Sequence, residues 1–182
     1  MSAESFYQQI ESVNQTARPL EAWNPPLSGD MNCQIKRDGS WHIDGSPITN
    51  VKLIRLFSTV LKKEKDEYFL LTPVEKWRIQ VEDLPFMVVE LDIEHKNSKE
   101  QLIKARTNVG DRVTIDQSHP LSSSPIKALN NDQVIPILFI RAQLEARFNR
   151  TCFIELAEVL QPGADAEAYK VISAGTEFTL NL

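Results

Sequence analysis

The basic residues of this chain are the ones whose types and spacing point to binding chemistry. Lys76 and Arg78 alternate with apolar residues, so a strand would place both of them on one face. Arg55 and Arg141 each follow an isoleucine in segments that otherwise resemble each other. Arginine binds phosphate or carboxylate through two parallel hydrogen bonds. With a tryptophan available to stack on a base, the predicted anion-binding residues are Arg55, Lys76, Trp77, Arg78, Arg141 and Arg147.

The same basic residues also fit a plainer interpretation. A solvated strand face and the rim of a helix carry charges of this kind, and several glutamates stand near enough in sequence to neutralise them. These candidate partners are Glu75, Glu145 and Glu155. The sequence leaves both interpretations open.

The residue types needed for catalysis come closest together in Trp41–Ile48, where His42, Asp44 and Ser46 alternate. A hydrolase would need a nucleophile, a base and an orienting group that converge on one point. The chain has no Gly-x-Ser-x-Gly phrase, and a strand that ends in a turn explains the same residues. A non-enzymatic protein is therefore expected, with an enzyme using His42 and Asp44 as the alternative.

Metal and cofactor sites are not predicted. His95 and His119 stand apart, and two distant cysteines, Cys33 and Cys152, do not form a zinc-binding pattern. The six glycines are dispersed and form no phosphate-binding loop. The expectation is that the chain uses no metal and no cofactor.

Composition restricts the partners. The 182 residues carry a net charge of -5 and have a pI near 5.3, which argues against a nucleic-acid partner because phosphate backbones require a basic surface. A local basic pocket for one small anion is still allowed. No secretory signal and no apolar stretch long enough for a bilayer is visible. A cytoplasmic location without a membrane partner is expected, and a homodimer is one option for the oligomeric state.

Two phrases indicate an internal duplication. WHIDGSPI at 41–48 and VTIDQSHPL at 113–121 share an Ile-Asp pair that is followed by Ser and Pro. Around each phrase the predicted order of elements is strand, strand, helix, strand, strand. We therefore expect 41–81 and 113–173 to superpose, with Ile43-Asp44 equivalent to Ile115-Asp116 and Arg55 equivalent to Arg141.

The predicted fold class is α+β, with two related halves that each contain mostly antiparallel strands and one main helix. A short N-terminal helix within 5–13 precedes them. Residues 1–30 hold this helix and a Pro-rich connector, 31–84 form the first half, and 85–182 form the second half.

Local patterns in the second half are harder to interpret. Residues 134–148 fit either a strand that runs into a short helix at 142–149 or a single helix, and the β-branched content favours a strand first. Residues 122–125 read as a Ser-rich loop, and 151–159 as a strand. Further strands are predicted at 102–107, 169–173 and 177–180.

Several longer phrases resemble the bacterial domain-of-unknown-function family numbered twelve-eighty-five. They are LSGDMNCQIKRDGSWHIDGSPI, IRLFSTVLKKEKDEYFLLTPVEKWRIQVEDLPF and LEARFNRTCFIELAEV. The resemblance implies a duplicated core, a C-terminal half loosely like a pleckstrin-homology fold, a site between the halves, a nucleotide-like ligand and a role in bacterial signalling. Near its end the chain has Ser173-Ala174-Gly175 where the family has Ser-Gly-Gly.

Taken together, these patterns and the resemblance predict a non-enzymatic regulatory or signalling protein that binds a small anionic ligand between its two halves, and the resemblance implies that this ligand is nucleotide-like. Two alternatives stay open. One is a hydrolase-type enzyme that uses His42 and Asp44, and the other is a protein-interaction module that docks a partner through a strand edge or the N-terminal helix.

Overall fold

The computed structural model describes residue 10 and residues 20–125, 134–163 and 168–182. The predicted N-terminal helix at 5–13 therefore lies, apart from Ile10, outside the described residues. The chain divides into two compact units, Met1–Glu82 and Asp83–Leu182. No helix in the described part of the chain is long and apolar enough to cross a membrane.

Between residues 20 and 82, the first unit contains a six-stranded sheet and one α-helix. Its strands lie in the order β3-β2-β1-β6-β5-β4, and only the β1–β6 pair in the middle is parallel. Helix α1 connects β3 to β4. The elements are the 3₁₀ turn Leu20–Ala22, β1 (Leu27–Ile35), β2 (Trp41–Ile43), β3 (Ser46–Pro47), α1 (Val51–Thr59), β4 (Leu61–Glu64), β5 (Glu67–Leu71) and β6 (Lys76–Val81).

Local sequence signals explain the turn between β1 and β2 and the start of helix α1. Asp38-Gly39 turns the chain between β1 and β2, and Gly39 has the positive φ of 80° that a residue with a side chain adopts at a cost. The Asn50 side chain caps α1 by accepting hydrogen bonds from the backbone N–H groups of Lys52 and Leu53. The core then forms around the fully buried side chains of Trp41, Phe57 and Leu70.

The second unit contains a six-stranded sheet, one helix and a small three-stranded sheet. The large sheet has the order β10-β11-β12-β7-β8-β9, again with a single parallel pair, β12–β7, in the middle. Its elements are β7 (Phe86–Glu94), β8 (Leu102–Thr107), β9 (Arg112–Thr114), β10 (Leu121–Pro125), β11 (Val134–Arg141), β12 (Leu144–Phe148), α2 (Arg150–Ala157), β13 (Gln161–Pro162), β14 (Ala168–Ser173) and β15 (Thr176–Asn181).

Polar side chains attach the small sheet β13-β14-β15 to the large sheet of the second unit. The Gln101 side chain donates to the carbonyl oxygen of Ile172 at 2.7 Å, and the Ile103 N–H donates to the Ser173 hydroxyl at 3.0 Å. Both Gln101 and Ser173 are buried, so these bonds satisfy groups that would otherwise be costly to bury.

The two large sheets have the same connectivity, which confirms the predicted duplication and the α+β fold class. Each sheet consists of two groups of three consecutive antiparallel strands, which we call triplets. In each sheet the first strand of the first triplet pairs in parallel with the last strand of the second triplet. Strand β1 therefore corresponds to β7, β2 to β8, and so on to β6 and β12. Apart from Ile10, which is also helical, the described residues of each unit contain one α-helix, but α1 lies between the triplets whereas α2 follows the second triplet.

The alignment that the repeated phrases predicted is wrong by one strand. Ile43 ends β2, the second strand of its triplet, whereas Ile115 directly follows β9, the third strand. Arg55 and Arg141 are not equivalent either, because Arg55 lies on α1 and Arg141 ends β11. Short turn phrases recur wherever strands end, so they identify strand ends without identifying which strand.

Residues 134–148 begin with a strand, as the β-branched content favours, but the helix predicted at 142–149 is wrong. Strands β11 and β12 form a hairpin through Ala142 and Gln143, which have φ values of 45° and 63°. Two successive residues with positive φ form the tight turn whose twist matches that of a hairpin. Neither residue belongs to the types that normally mark this turn, so the sequence concealed it.

Two neighbouring predictions are also wrong. Residues 150–157 form helix α2 and not a strand, because the Asn149 side chain caps it by accepting from the Cys152 N–H at 2.7 Å. Cys152 and Leu156, one turn apart, are its buried residues. The Ser-rich segment is not a loop but strand β10, which pairs with β11 throughout its length. The strands predicted at 102–107, 169–173 and 177–180 are confirmed.

Candidate functional site

Two of the predicted anion-binding residues line one pocket of the first unit. Lys76 and Arg78 project from the same face of β6 over Phe69 on the neighbouring strand. The Lys76 ammonium lies 4.3 Å from the centre of the Phe69 ring, and the Arg78 guanidinium carbon lies 5.9 Å from it. We call this the Phe69 pocket. Its volume is about 270 Å³, and its lining residues are Leu27, Glu64, Lys65, Glu67, Phe69, Lys76 and Arg78.

Carboxylates already neutralise Lys76 and Arg78 in the Phe69 pocket. Lys76 forms an ion pair with Glu64. The hydrogen bond that Lys76 donates is the main reason why the pKa of the Glu64 carboxyl is lowered. Arg78 donates to Asp30 at 3.1 Å, and its Nε lies 2.9 Å from a Glu67 oxygen. An anion that enters this pocket must therefore compete with these carboxylates.

Trp77 and Arg55 lie outside the Phe69 pocket. Alternation along β6 places Trp77 on the face opposite Lys76 and Arg78. There its ring packs against Gly29, where an added Cβ would lie 3.4 Å from the ring. Arg55 is exposed on α1 and is not among the residues that line the pocket.

Arg141 and Arg147 belong to the second unit and are held there by acidic residues. Arg141 forms an ion pair with Asp111, and its guanidinium carbon lies 4.9 Å from the centre of the Phe86 ring. The Arg147 side chain is 6% exposed and donates two hydrogen bonds to Asp83, at 2.6 and 2.8 Å. This pair is enclosed, so Arg147 is positioned to stabilise the fold and not to meet a ligand.

His42 contacts a serine that the sequence did not single out. The Ser40 hydroxyl donates to Asp38 at 2.6 Å, and His42 Nε2 lies 3.1 Å from the same hydroxyl oxygen. Because the hydroxyl has one proton and the carboxylate takes it, His42 must donate to Ser40. A nucleophilic serine needs the reverse order, with histidine accepting its proton. Asp44, the other residue of the enzyme hypothesis, lies in the turn after β2 with φ of 50°.

The thiols and carboxylates of the described residues show no site for metal chemistry. Burial raises the pKa of the Cys33 thiol to about 12, with a further contribution from Asp44, and burial raises that of Cys152 to about 11. Both thiols therefore stay protonated and unreactive at neutral pH. In the described part of the chain no three His, Cys, Asp or Glu residues come together as a metal site.

A second pocket lies on the polar face of the sheet formed by β7, β8 and β9, and sequence reasoning did not predict it. We call it the Arg112 pocket. Its volume is about 370 Å³, which falls at the small end of the range for ligand pockets. Its lining residues are Glu90, Leu91, Asp92, Lys104, Ala105, Arg106, Arg112, Val113 and Thr114.

Strand pairing arranges the charges of the Arg112 pocket in two rows across the three strands. One row contains Glu90, Arg106 and Arg112, and the other contains Asp92, Lys104 and Thr114. Between these rows the side chain of Ala105 is buried, so the strands separate a charged face from a core face.

Only part of this charge is neutralised within the sheet. Arg106 donates to Glu90 at 2.5 Å, and Lys104 donates to Glu94 at 2.5 Å. The Glu94 hydrogen bond is the main cause that raises the pKa of Lys104, so this ammonium stays charged at neutral pH. Asp92, which stands opposite Lys104, accepts no hydrogen bond from the described residues.

Arg112 is the notable cation of this pocket. It is exposed, it stands directly opposite Arg106, and no carboxylate among the described residues pairs with it. Two like charges at directly opposite positions destabilise a sheet unless a counter-charge offsets them. The Lys104-Ala105-Arg106 alternation was visible in the sequence, but the register that places Arg112 beside Arg106 was not. An anion bound between the two guanidinium groups would supply the missing charge.

Comparisons with known proteins agree with the two-unit architecture. Family models for the N-terminal and C-terminal domains of DUF1285, a domain of unknown function, match residues 18–84 and 85–180. A DUF1285 family protein from Silicibacter pomeroyi DSS-3 is 31% identical, with a TM-score of 0.83, and the match covers 94% of this chain and 92% of that one. A DUF1285 family protein from Shewanella baltica OS155 is 28% identical, with a TM-score of 0.53, and the match covers 72% and 94%. No curated protein matches this chain.

Proposed function

This chain belongs to the DUF1285 family, and we propose that it is a non-enzymatic regulatory protein that binds a small anionic ligand in the Arg112 pocket of its second unit. Membership confirms the resemblance found in the sequence. The family description names no ligand, so the proposal depends on the charges of the pocket itself.

The observation that carries the proposal is the position of Arg112. A guanidinium group that faces a second guanidinium group and lacks a carboxylate partner is a poor arrangement for stability. It is a good arrangement for binding, because Arg112 can donate two hydrogen bonds to phosphate or carboxylate oxygens, and Arg106, whose Nε bonds Glu90, has further N–H groups to donate. The chain is acidic overall, so binding of an anion points to a local pocket and not to general attraction.

The residues of the pocket favour binding without catalysis. The described lining residues include no histidine and no cysteine, and among the described residues the Thr114 hydroxyl forms no hydrogen bond with the carboxylates or the ammonium group of the pocket. Nucleophilic catalysis needs a base within hydrogen-bonding distance. A protein that binds a small ligand without converting it is suited to a regulatory role, in which ligand binding selects one state of the protein.

Calorimetric titration with inorganic phosphate tests this proposal. Arg112→Gln should weaken binding by about ten- to a hundredfold, because hydrogen bonds between charged groups contribute roughly 1.5–3 kcal/mol. The fold should persist, since Arg112 is exposed and has no partner among the described residues. Arg150→Gln is a matched control, because Arg150 is an exposed arginine of the same unit that lies outside the pocket lining.

Two results would contradict the proposal. One is an absence of measurable binding by the unaltered protein. The other is an equal loss of binding in Arg112→Gln and Arg150→Gln, which would mean that only the overall charge of the chain matters.

The Phe69 pocket is the second candidate for an anion site, because Lys76 and Arg78, two of the residues proposed from the sequence, both line it. Arg78 is partly exposed, and exposed ion pairs are worth little, so an anion with several charges could displace Asp30 and Glu67. In the same titration Arg78→Gln reports on this pocket. A loss confined to Arg78→Gln, with Arg112→Gln unchanged, would favour the Phe69 pocket.

A further inference from the structure

We infer that the ligand of the Arg112 pocket is a phosphate ester that carries hydroxyl groups, such as a phosphorylated sugar or polyol. This inference rests on the proposed function. The juxtaposition behind it is that Arg112 and Asp92, which have opposite charges and no ion-pair partner among the described residues, line the same pocket.

Asp92 lacks a partner because its neighbour is engaged elsewhere. Lys104 stands directly opposite Asp92, but its ammonium donates to Glu94 at 2.5 Å. The Asp92 side chain is exposed, and its carboxylate can only accept hydrogen bonds. It is therefore a ready acceptor for a hydroxyl group of a ligand.

The distance between the two unpartnered groups fits a small bifunctional ligand. Asp92 lies on β7 and Arg112 on β9, with β8 between them, and their rows are offset by two residues. From strand geometry, the two Cα atoms are roughly 12 Å apart. If the long arginine side chain leans across the sheet towards Asp92, the remaining gap is within the length of a phosphorylated pentose.

The same pocket disfavours other anions. A ligand that is anionic throughout would meet the carboxylates of Asp92 and Glu90 as well as the arginines, and like charges repel. A nucleobase would find no aromatic ring among the described lining residues on which to stack. A ligand with a phosphate at one end and hydroxyl groups at the other satisfies both sides of the pocket.

Calorimetry with three probes tests the inference: inorganic phosphate, ribose 5-phosphate and AMP. Asp92→Ala should weaken ribose 5-phosphate binding by about tenfold, since a hydroxyl bond to a carboxylate is lost. The same change should strengthen the binding of inorganic phosphate, because a repelling charge is removed. AMP should bind no more tightly than ribose 5-phosphate. Glu100→Ala is the matched control, since Glu100 is an exposed carboxylate of the same unit outside the pocket lining.

The outcomes separate the two proposals. If Arg112→Gln weakens the binding of inorganic phosphate and of ribose 5-phosphate but Asp92→Ala strengthens the binding of both, the anion site is correct and the hydroxylated ligand is wrong. The proposed function fails, and the inference fails with it, if Arg112→Gln changes the binding of neither inorganic phosphate nor ribose 5-phosphate. The same conclusion follows if neither of these two probes binds to the unaltered protein. An AMP affinity well above that of ribose 5-phosphate would also overturn the inference, because it would require a base-binding surface.

Discussion

Removing one partner of the buried pair of Arg147 and Asp83 should strongly destabilise the second unit. Their side chains are 6% and 2% exposed, and two hydrogen bonds of 2.6 and 2.8 Å join them. Asp83→Asn keeps the shape of the side chain but removes the counter-charge of a buried guanidinium group. Breaking a buried pair in this way typically costs about 3–5 kcal/mol. The free energy of unfolding of a whole domain is only about 5–15 kcal/mol, so this loss should be a large fraction of it.

Equilibrium unfolding in urea, followed by far-ultraviolet circular dichroism, measures this loss. Glu177→Gln is the control, because it removes an exposed ion pair with Lys170 in the same unit, whose side chains are 50% and 39% exposed. It should cost less than about 1 kcal/mol. The double change Asp83→Leu with Arg147→Met should recover most of the stability, since well-packed apolar residues often replace a buried pair without loss.

The reasoning would be refuted if Asp83→Asn cost no more than Glu177→Gln. That result would mean that water reaches the guanidinium group, and Arg147 would again be available as the ligand-binding residue that the sequence predicted.

Two further predictions follow from local geometry. Gln143→Gly should raise the free energy of unfolding by about 0.5–1 kcal/mol in urea titrations, because Gln143 has φ of 63° and glycine removes that strain. A loss of stability would contradict the assignment of a strained turn at this residue. The Lys76 hydrogen bond lowers the folded-state pKa of Glu64, so its stabilising effect is present above the unfolded pKa and disappears as the pH falls through the folded value. Glu64→Gln should therefore reduce the loss of stability below about pH 4.5 in acid titrations, and an unchanged slope would show that the pair contributes nothing.

Short-range signals were enough to predict much of the fold. The Asp38-Gly39 turn and the Asn50 cap of α1 are signals of this kind, and the strands predicted at 102–107, 169–173 and 177–180 appear where the sequence places them. Each depends on residues within a few positions of one another, through turn conformation, capping or alternation. For the same reason the sequence predicted the duplication, although the predicted alignment of the two halves was wrong by one strand.

Elements that depend on distant contacts were predicted wrongly. Residues 150–157 were predicted to be a strand, but the burial of Cys152 and Leu156, one turn apart, makes one face of a helix, and the Asn149 cap is a local signal that the prediction overlooked. The turn at Ala142 and Gln143 forms because pairing of β11 with β12 imposes a conformation that neither residue favours. In this turn, pairing between strands outweighs local preference.

For the candidate sites, the sequence by itself determined which residues are charged and that Lys76 and Arg78 share a strand face. Only the tertiary structure decided which of the charges are matched. Arg147 meets Asp83, 64 residues away, and becomes part of the interior, whereas Arg112 meets Arg106 and keeps an unmatched charge. The physical reason is that the role of a charge depends on its counter-charge and its exposure to water, and strand register sets both between segments that are far apart in the chain.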